Sequence, residues 1–200
     1  MATVPESVAT VGHLALVGLM AAGKTAVGRV LADRLRRRHV DLDRAVTQLA
    51  GRSIGVIFHE GGESTFRDLE AQSLVLQLAA GDPIVLSTGG GVMGRGENRA
   101  ILAADSIVVW LRARPETLAD RVGDGVGRPL LEGRSALGVL RDLAEDRDPA
   151  YERAANVAVD TDGLTVGQVV DAVLDALEDV GLVGPEALAG STVDGAGGRS

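Results

Sequence analysis

The segment at residues 18–25 constrains this chain more than any other part of its sequence. It reads Gly-Leu-Met-Ala-Ala-Gly-Lys-Thr, which matches the Walker A pattern. An apolar run at residues 13–17 precedes it, and a segment with helical periodicity follows it. A phosphate-binding loop requires this setting between a strand and a helix, so we predict a nucleotide site here.

The predicted loop supplies several kinds of group to a nucleotide. Its backbone N–H groups and the N-terminus of the following helix surround the β- and γ-phosphates. Lys24, the only lysine of the chain, reaches the transferring phosphate, and the hydroxyl of Thr25 binds Mg²⁺. The predicted nucleotide-binding residues of this segment are Gly18, Ala21, Ala22, Gly23, Lys24, Thr25 and Ala26.

Strand and helix patterns alternate along the rest of the chain. Short apolar runs predict strands at residues 13–17, 40–42, 84–88, 106–111 and 157–161. Other segments predict helices at residues 25–38, 64–80, 97–104, 115–122, 136–155 and 165–180. We expect Pro149 to kink or interrupt the helix that contains it. The alternation predicts an α/β fold with a mainly parallel sheet.

The length of 200 residues fits one domain better than two. We expect a flexible N-terminus at residues 1–12 and a single domain at residues 13–180. The remaining residues, 181–200, are rich in glycine, serine and alanine, and we expect them to form a disordered tail.

The composition excludes several classes of function. A formal net charge of −8 argues against a general nucleic-acid binder. No apolar run approaches the roughly 20 residues that span a bilayer, so we expect no membrane contact. The chain has no cysteine, which excludes disulfides, zinc–thiolate sites and cysteine nucleophiles and fits a cytoplasmic protein. We expect a monomer, since no large apolar element is left over.

Two carboxylates, Asp41 and Asp43, flank Leu42 at the end of the second predicted strand. Because alternate residues of a strand point the same way, we expect both to face one site at the carboxyl edge of the sheet. One carboxylate can hold a magnesium-bound water, and the other can accept a hydroxyl proton and orient that oxygen for attack. The plainer alternative is a strand-to-helix junction in which Asp43 caps the helix.

A second candidate site surrounds Arg67. Glu70 lies one helical turn beyond Arg67, where it can orient the guanidinium, and Glu63 lies on the other side. A fixed guanidinium is a bidentate carboxylate receptor, and Phe58 and Phe66 can supply apolar walls. The segment therefore predicts an acceptor pocket for a carboxylate. The alternative is a pair of core phenylalanines beside a surface ion pair.

Three glycines, Gly89, Gly90 and Gly91, follow the third predicted strand at the same edge. They permit close approach to a small ligand and present N–H donors, although a plain strand-to-helix turn uses glycines too. Arg128 lies in a glycine-rich stretch and can neutralise charge on the γ-phosphate if that stretch closes. Arg147 is a further candidate for binding an anion. A solvated surface charge is the alternative for either arginine.

Taken together, these motifs resemble those of the shikimate kinase family. The resemblance covers residues 13–177 and rests on the order and spacing of several segments. They are residues 18–25, Asp41-Leu42-Asp43, Glu63-x-x-Phe66-Arg67-x-x-Glu70, residues 89–91, Arg128-Pro129-Leu130-Leu131 and Arg147-Asp148-Pro149-x-Tyr151. The resemblance implies a three-layer α/β/α fold of the nucleoside-monophosphate-kinase type with strand order 2-3-1-4-5. It also implies phosphorylation of the shikimate 3-hydroxyl by ATP with Mg²⁺, a step of chorismate and aromatic amino-acid biosynthesis.

The resemblance implies a role for each matching residue. Asp43 would bind the shikimate hydroxyls and act as base or orienting group, and Gly90 would lie against the ring. Arg67 and Arg147 would hold the shikimate carboxylate. The remaining roles concern the nucleotide: Thr25 and, through water, Asp41 for Mg²⁺, Lys24 and Arg128 for the phosphoryl group, Arg121 for adenine, and residues 123–136 for the lid.

One departure from the family pattern concerns Ala21, where the family usually has glycine. A positive φ at this position would cost alanine about 1–2 kcal/mol, whereas a negative φ would cost little. We expect nucleotide binding to be retained. Other functions stay open: a kinase for aminoshikimate or gluconate, or a nucleotide-binding module without turnover. The segment around Arg67 looks less like that of a gluconate kinase, and a module has no need of Asp43.

Overall fold

A five-stranded parallel sheet forms the centre of the fold. The structure, a computed structural model, describes residues 12–79, 81–123, 131 and 134–182. The strands are β1 (His13–Val17), β2 (Arg38–Asp41), β3 (Ile84–Ser87), β4 (Ser106–Arg112) and β5 (Val157–Asp160). Their order across the sheet is β2-β3-β1-β4-β5, and each neighbouring pair is parallel. This confirms the expected fold class and strand order.

Helices flank this sheet and connect its strands. In chain order they are α1 (Lys24–Arg34), α2 (Leu42–Ala50), α3 (Ile54–Leu78), α4 (Gly96–Asp105), α5 (Pro115–Val122), α6 (Ala136–Ala154) and α7 (Val166–Asp179). A short 3-10 turn, Val92–Gly94, precedes α4. Helices α1, α4, α6 and α7 contact the strands directly, whereas α2 and α3 pack mainly on each other.

The first helix is shorter than the predicted helix at residues 25–38. It ends at Arg34, and the chain turns at Arg36, which adopts a left-handed φ of 51°. Strand β2 then begins at Arg38, before the predicted start at residue 40. The prediction was wrong here because the arginine-rich sequence contains no glycine or proline to indicate where the helix ends.

The region between β2 and β3 differs most from the prediction. Helix α2 was not predicted, and α3 begins at Ile54 rather than at residue 64. The hydroxyl of Ser53 accepts a hydrogen bond from the backbone N–H of Val56 and caps the start of α3. Gly62 has a φ of 68° and a ψ of −174°, so α3 consists of two helical segments joined at a kink. The glycine pair at residues 61 and 62 therefore lies within one longer element.

The core fills both faces of the sheet. The central strand β1 shows this most clearly, since Leu14, Leu16 and Val17 have no exposed surface. A strand that is buried on both faces consists of consecutive apolar residues, with no alternation of apolar and polar side chains. This is why the apolar run of β1 could be recognised in the sequence. Within the described residues, no helix is both long and apolar enough to cross a membrane.

Helix α6 packs on β4 through an aromatic contact. The rings of Trp110 and Tyr151 lie 5.8 Å apart, centroid to centroid, and both side chains are buried. Trp110 is therefore a core residue of β4. Of the two expected effects of Pro149, a kink or an interruption, the interruption is wrong, because α6 continues through Pro149. Tyr151 therefore lies on the face of α6 that packs on β4.

Candidate active site

A loop between β1 and α1 carries the Walker A residues. A side chain at Gly18, where φ is 139°, would collide with the backbone carbonyl of Leu111 on β4. Gly23 has a φ of 91° and directly precedes α1. Ala21 also has a positive φ, 63°, so this alanine occupies the left-handed conformation that favours glycine. The predicted cost of about 1–2 kcal/mol therefore applies to this position.

Lys24 lies against the loop that is predicted to bind phosphates. Its ammonium donates hydrogen bonds to the carbonyl oxygens of Gly18 and Leu19, at 2.8 and 2.7 Å. The side chain is buried, with only 8% of its residue surface exposed. The positive charge is thus fixed at the N-terminus of α1, where the helix dipole also favours an anion.

Thr25 and Asp41 lie in direct contact. The hydroxyl of Thr25 donates a hydrogen bond of 2.8 Å to Oδ2 of Asp41, while Oδ1 accepts from the backbone N–H of Arg44 at 3.2 Å. Asp41 is therefore the cap of α2, and the alternative in which Asp43 caps the helix is wrong. A hydroxyl and a carboxylate are oxygen donors of the kind that Mg²⁺ prefers. The oxygen atoms of Thr25 and Asp41 are therefore of the right type to bind Mg²⁺.

Asp43 lies in the first turn of α2, not on the strand. The expectation that both carboxylates alternate along one strand is wrong, but the two side chains still interact. Burial raises the pKa of Asp43, the charge of Asp41 raises it further, and Lys24 and Arg67 lower it. A partly buried carboxylate with a raised pKa, within electrostatic reach of both cations, is suited to accept a proton.

Glu70 is a fully buried carboxylate beside Asp43. A Cβ atom at Gly89 would lie 2.9 Å from Oε1 of Glu70 and 3.0 Å from Oδ1 of Asp43, so the absent side chain leaves room for both. Burial raises the pKa of Glu70, whereas Arg67 lowers it. Within the described part of the chain, Oε1 of Glu70 has no hydrogen-bond partner. This free acceptor borders the space next to Asp43.

Arg67 is fixed by two glutamates, as the sequence predicted. One guanidinium nitrogen donates to Oε2 of Glu70 at 2.8 Å, and another donates to Oε1 of Glu63 at 3.1 Å. Burial disfavours the charge, but Glu70 and Glu63 outweigh this effect and raise the pKa of Arg67. A Cβ atom at Gly91 would lie 2.7 Å from Cζ of Arg67. The triple glycine and Arg67 therefore form one site.

The two phenylalanines occupy different environments. Their rings lie 4.9 Å apart, and the guanidinium of Arg67 lies 5.2 Å from the ring centroid of Phe66. Phe66 is buried with Val46 and Ile57 in a small core between α2 and α3. Phe58 is 40% exposed. The core interpretation therefore fits Phe66, while Phe58 presents an accessible apolar surface.

Gly90 receives two donors from α6. Its carbonyl oxygen accepts a hydrogen bond from Arg147 at 2.9 Å and another from the hydroxyl of Tyr151. Burial raises the pKa of Tyr151 well above its ordinary value, so the phenol remains a donor. Sequence reasoning did not assign a site role to Tyr151. The four-residue spacing from Arg147, which places both on one helix face, was the available signal.

The remaining predicted residues lie elsewhere. Arg121, at the end of α5, donates to the hydroxyl of Thr161 at 3.0 Å and to its carbonyl oxygen at 2.5 Å. It therefore lies beside the carboxyl end of β5, apart from the carboxylate cluster. Arg128 and most of the predicted lid at residues 123–136 lie outside the described residues. So do residues 1–11 and 183–200, which include most of the predicted termini.

The comparisons with known proteins agree with the family that the sequence motifs resemble. Residues 20–178 match the sequence profile of the shikimate kinase family. A shikimate kinase of Symbiobacterium thermophilum is 48% identical over 171 residues, which cover 84% of this chain and 98% of the relative. One of Ralstonia nicotianae is 40% identical over 183 residues, covering 92% and 96%. The solved structure of a shikimate kinase from Acinetobacter baumannii in complex with shikimate has a TM-score of 0.81 and 34% identity, covering 85% and 94%.

Proposed function

The chain belongs to the shikimate kinase family, and from this premise we propose how the described residues carry out its reaction. The enzyme transfers the terminal phosphoryl group of ATP to the 3-hydroxyl of shikimate, which gives ADP and shikimate 3-phosphate. The observation that carries the proposal is the place of Asp43. This partly buried carboxylate interacts with Lys24 on the phosphate side and with Arg67 on the acceptor side.

The phosphate half of the site is the loop before α1. The backbone N–H groups of residues 18–26 surround the phosphates of ATP, and the dipole of α1 favours their negative charge. The ammonium of Lys24 turns from the neutral carbonyls of Gly18 and Leu19 to a charged phosphate oxygen, which is the stronger partner. Arg121 lies against the adenine base, and Arg128 approaches the transferring phosphoryl group.

The acceptor half of the site is built for a small acid with hydroxyl groups. Arg67 and Arg147 bind the shikimate carboxylate, since Arg67 is held by Glu70 and Arg147 lies on Gly90 beside it. Gly89, Gly90 and Gly91 bring the backbone close to the ring, and Phe58 adds an apolar wall. Glu70, which holds Arg67, borders Gly89 together with Asp43, so the receptor for the carboxylate lies close to the proton acceptor.

Asp43 acts on the hydroxyl that receives the phosphoryl group. It accepts a hydrogen bond from the hydroxyl and takes its proton as the oxygen forms a bond to phosphorus. The bond between the γ-phosphorus and the bridging oxygen of ADP breaks in the same transfer, with the charge stabilised by Lys24 and Arg128. The raised pKa of Asp43 makes this carboxylate a better proton acceptor than an exposed aspartate.

Mg²⁺ is the metal that the donors of this site fit. Thr25 would bind it through its hydroxyl and Asp41 through a water molecule. When bound, the ion neutralises charge on the phosphate groups. The hydrogen bond between Thr25 and Asp41 keeps both oxygen donors on one side of the phosphate-binding loop.

The variant Asp43→Asn tests the assignment of the base. It keeps the size of the side chain and removes its charge, so we expect turnover to fall at least about 100-fold with ATP binding retained. Asp171→Asn is the matched control, because Asp171 pairs with Arg34 at the exposed surface. Release of ADP gives turnover, and calorimetric titration gives ATP binding. Unchanged turnover of Asp43→Asn would remove Asp43 from the mechanism.

We also propose that the enzyme is a cytoplasmic monomer whose kinase domain spans residues 13–180. The absence of cysteine supports residence in a reducing compartment. The match of residues 20–178 to one family supports a single domain. Light scattering behind a sizing column should give a mass close to the 20.6 kDa of one chain; a mass of about twice that value contradicts the monomer.

A further inference from the structure

A chain of hydrogen bonds joins β2 and β3 to the first turn of α1, next to the phosphate-binding loop. The hydroxyl of Ser87, at the end of β3, donates to the carbonyl oxygen of Lys24 at 2.8 Å. Nε2 of His39, on β2, lies 3.0 Å from the same hydroxyl. Ser87 is buried, with 2% of its surface exposed. Two strands and the first turn of α1 therefore meet at one serine.

The direction of these hydrogen bonds follows from counting protons. A serine hydroxyl has one proton, and Ser87 uses it on the Lys24 carbonyl, which can only accept. The contact between His39 and Ser87 must then run from the imidazole to the serine oxygen. His39 is thus a donor through Nε2, and its donation orients the Ser87 hydroxyl toward Lys24.

Gly28 on α1 leaves room for these hydrogen-bonded side chains. A Cβ atom at Gly28 would collide with Oγ of Ser87 and would lie 2.8 Å from Nε2 of His39. Any larger residue at this position of α1 would push the helix away from both side chains. The helix therefore sits close to the strands at the point where His39 and Ser87 meet.

The same two strands hold the candidate metal ligand. Asp41 lies two residues after His39 on β2, so both point to the face that α1 covers. In the sheet, Asp41 is paired in register with Ser87, and its carboxylate accepts from Thr25 at 2.8 Å. Thr25 and Lys24 are adjacent at the start of α1. Two hydrogen-bonded routes, one through Asp41 and one through His39 and Ser87, therefore tie the first turn of α1 to β2.

We propose that His39 is a positioning residue for nucleotide binding, acting through Ser87 on the first turn of α1. It touches neither ATP nor shikimate. By fixing the Lys24 carbonyl, it fixes the direction in which the neighbouring N–H groups and the Thr25 hydroxyl face the phosphates. This inference rests on the proposed role of the loop in binding ATP, and it adds a contact that none of the loop residues supplies.

The test compares variants of His39 in the full-length enzyme. His39→Phe keeps a ring and removes the donor, and we expect the KM for ATP to rise about three- to tenfold, the loss of one hydrogen bond. The KM for shikimate should stay within about twofold, because Arg67, Arg147 and Asp43 are untouched. His39→Gln places an amide N–H near the position of Nε2 and should restore the KM for ATP.

Two further variants separate positioning from stability. Ser87→Ala removes the middle of the chain and should raise the KM for ATP as His39→Phe does. The double variant should be no worse than Ser87→Ala alone, since His39 acts only through the serine. His13→Phe is the matched control. His13 also bonds to β3, accepting from the N–H of Ile84 at 3.2 Å, but at the opposite end of the strands. It should alter stability only.

The outcomes distinguish a failure of this inference from a failure of the proposed function on which it rests. An unchanged KM for ATP in His39→Phe, or effects of His39→Phe and Ser87→Ala that simply add, overturns the role of His39. A lower melting temperature with an unchanged KM does the same. If the unaltered enzyme fails to phosphorylate shikimate, the proposed function is wrong. Calorimetric ATP affinities of the same variants then still test His39, since they need no acceptor.

Discussion

The backbone at Ala21 allows a free-energy comparison between two adjacent alanines. Ala21 has a φ of 63°, whereas Ala22 has no positive φ. Left-handed alanine costs about 1–2 kcal/mol, which Ala21→Gly removes. The glycine adds about 0.4–1 kcal/mol of freedom to the unfolded chain, and the partly buried methyl group loses a few tenths more. The sum is a small gain in stability of about 0.5 kcal/mol for Ala21→Gly.

The neighbouring substitution has the opposite sign. Ala22→Gly relieves no strain, increases the freedom of the unfolded chain and deletes a methyl group that is only 2% exposed. Its cost is about 1.5 kcal/mol. At about 2–4 °C per kcal/mol for a domain of this size, Ala21→Gly should raise the Tm by about 1–2 °C and Ala22→Gly should lower it by about 3–6 °C.

Thermal unfolding of both variants beside the unaltered protein measures this difference in Tm. ATP titration measures how each substitution changes the ATP affinity of the loop. We expect the ATP affinity of Ala21→Gly to stay within about threefold, since the φ of the loop does not change. Equal loss of Tm in the two variants would refute the argument from the backbone. A gain in ATP affinity of about tenfold or more for Ala21→Gly would show that alanine distorts the loop.

Further predictions concern the acceptor side of the site. Because burial raises the pKa of Asp43, the folded protein keeps that proton to higher pH than the unfolded chain does, and ionisation above about pH 4 costs stability. Asp43→Asn should therefore raise the Tm near pH 7, by an amount that vanishes below about pH 4; a lower Tm at pH 7 would contradict the sign. Glu70→Gln keeps an acceptor for Arg67 but removes the buried charge, so the KM for shikimate should rise about three- to tenfold with the KM for ATP unchanged. Gly91→Ala displaces the guanidinium of Arg67, the end of a flexible side chain, and should raise the KM for shikimate about tenfold or more while the Tm changes little. Steady-state kinetics on both substrates checks the last two, and equal rises in both KM values would count against them.

Elements with local boundary signals were predicted well from the sequence. Helix α5 has the predicted bounds, because Pro115 suits the first turn of a helix and Gly123 suits the residue after its end. Strands β1, β3 and β4 could be recognised because most of their residues are buried on both faces. The Walker A segment specifies its own loop and the start of α1. In these places the local sequence contains the physical cause of the structure.

Other features depend on contacts between residues distant in sequence. The assignment of Asp41 and Asp43 to one strand failed because α2 begins at Leu42, which is drawn into the core. The pair of His39 and Ser87 spans 48 residues, and no local pattern indicates it. The hydrogen bond from Tyr151 to Gly90 spans 61 residues. Such contacts arise only once the sheet order brings the strands together.

The measurement that tests the account most directly is the release of ADP from Mg-ATP by the purified enzyme, with shikimate, aminoshikimate, gluconate or no acceptor present. The account predicts strong release with shikimate and little release with gluconate or without acceptor, because Arg67 and Asp43 are placed for a carboxylate and a ring hydroxyl. Comparable release with aminoshikimate would show that the pocket does not distinguish between these two ring acids. No release with shikimate, but release with another acceptor, would contradict the assigned substrate and retain only the phosphate half of the site.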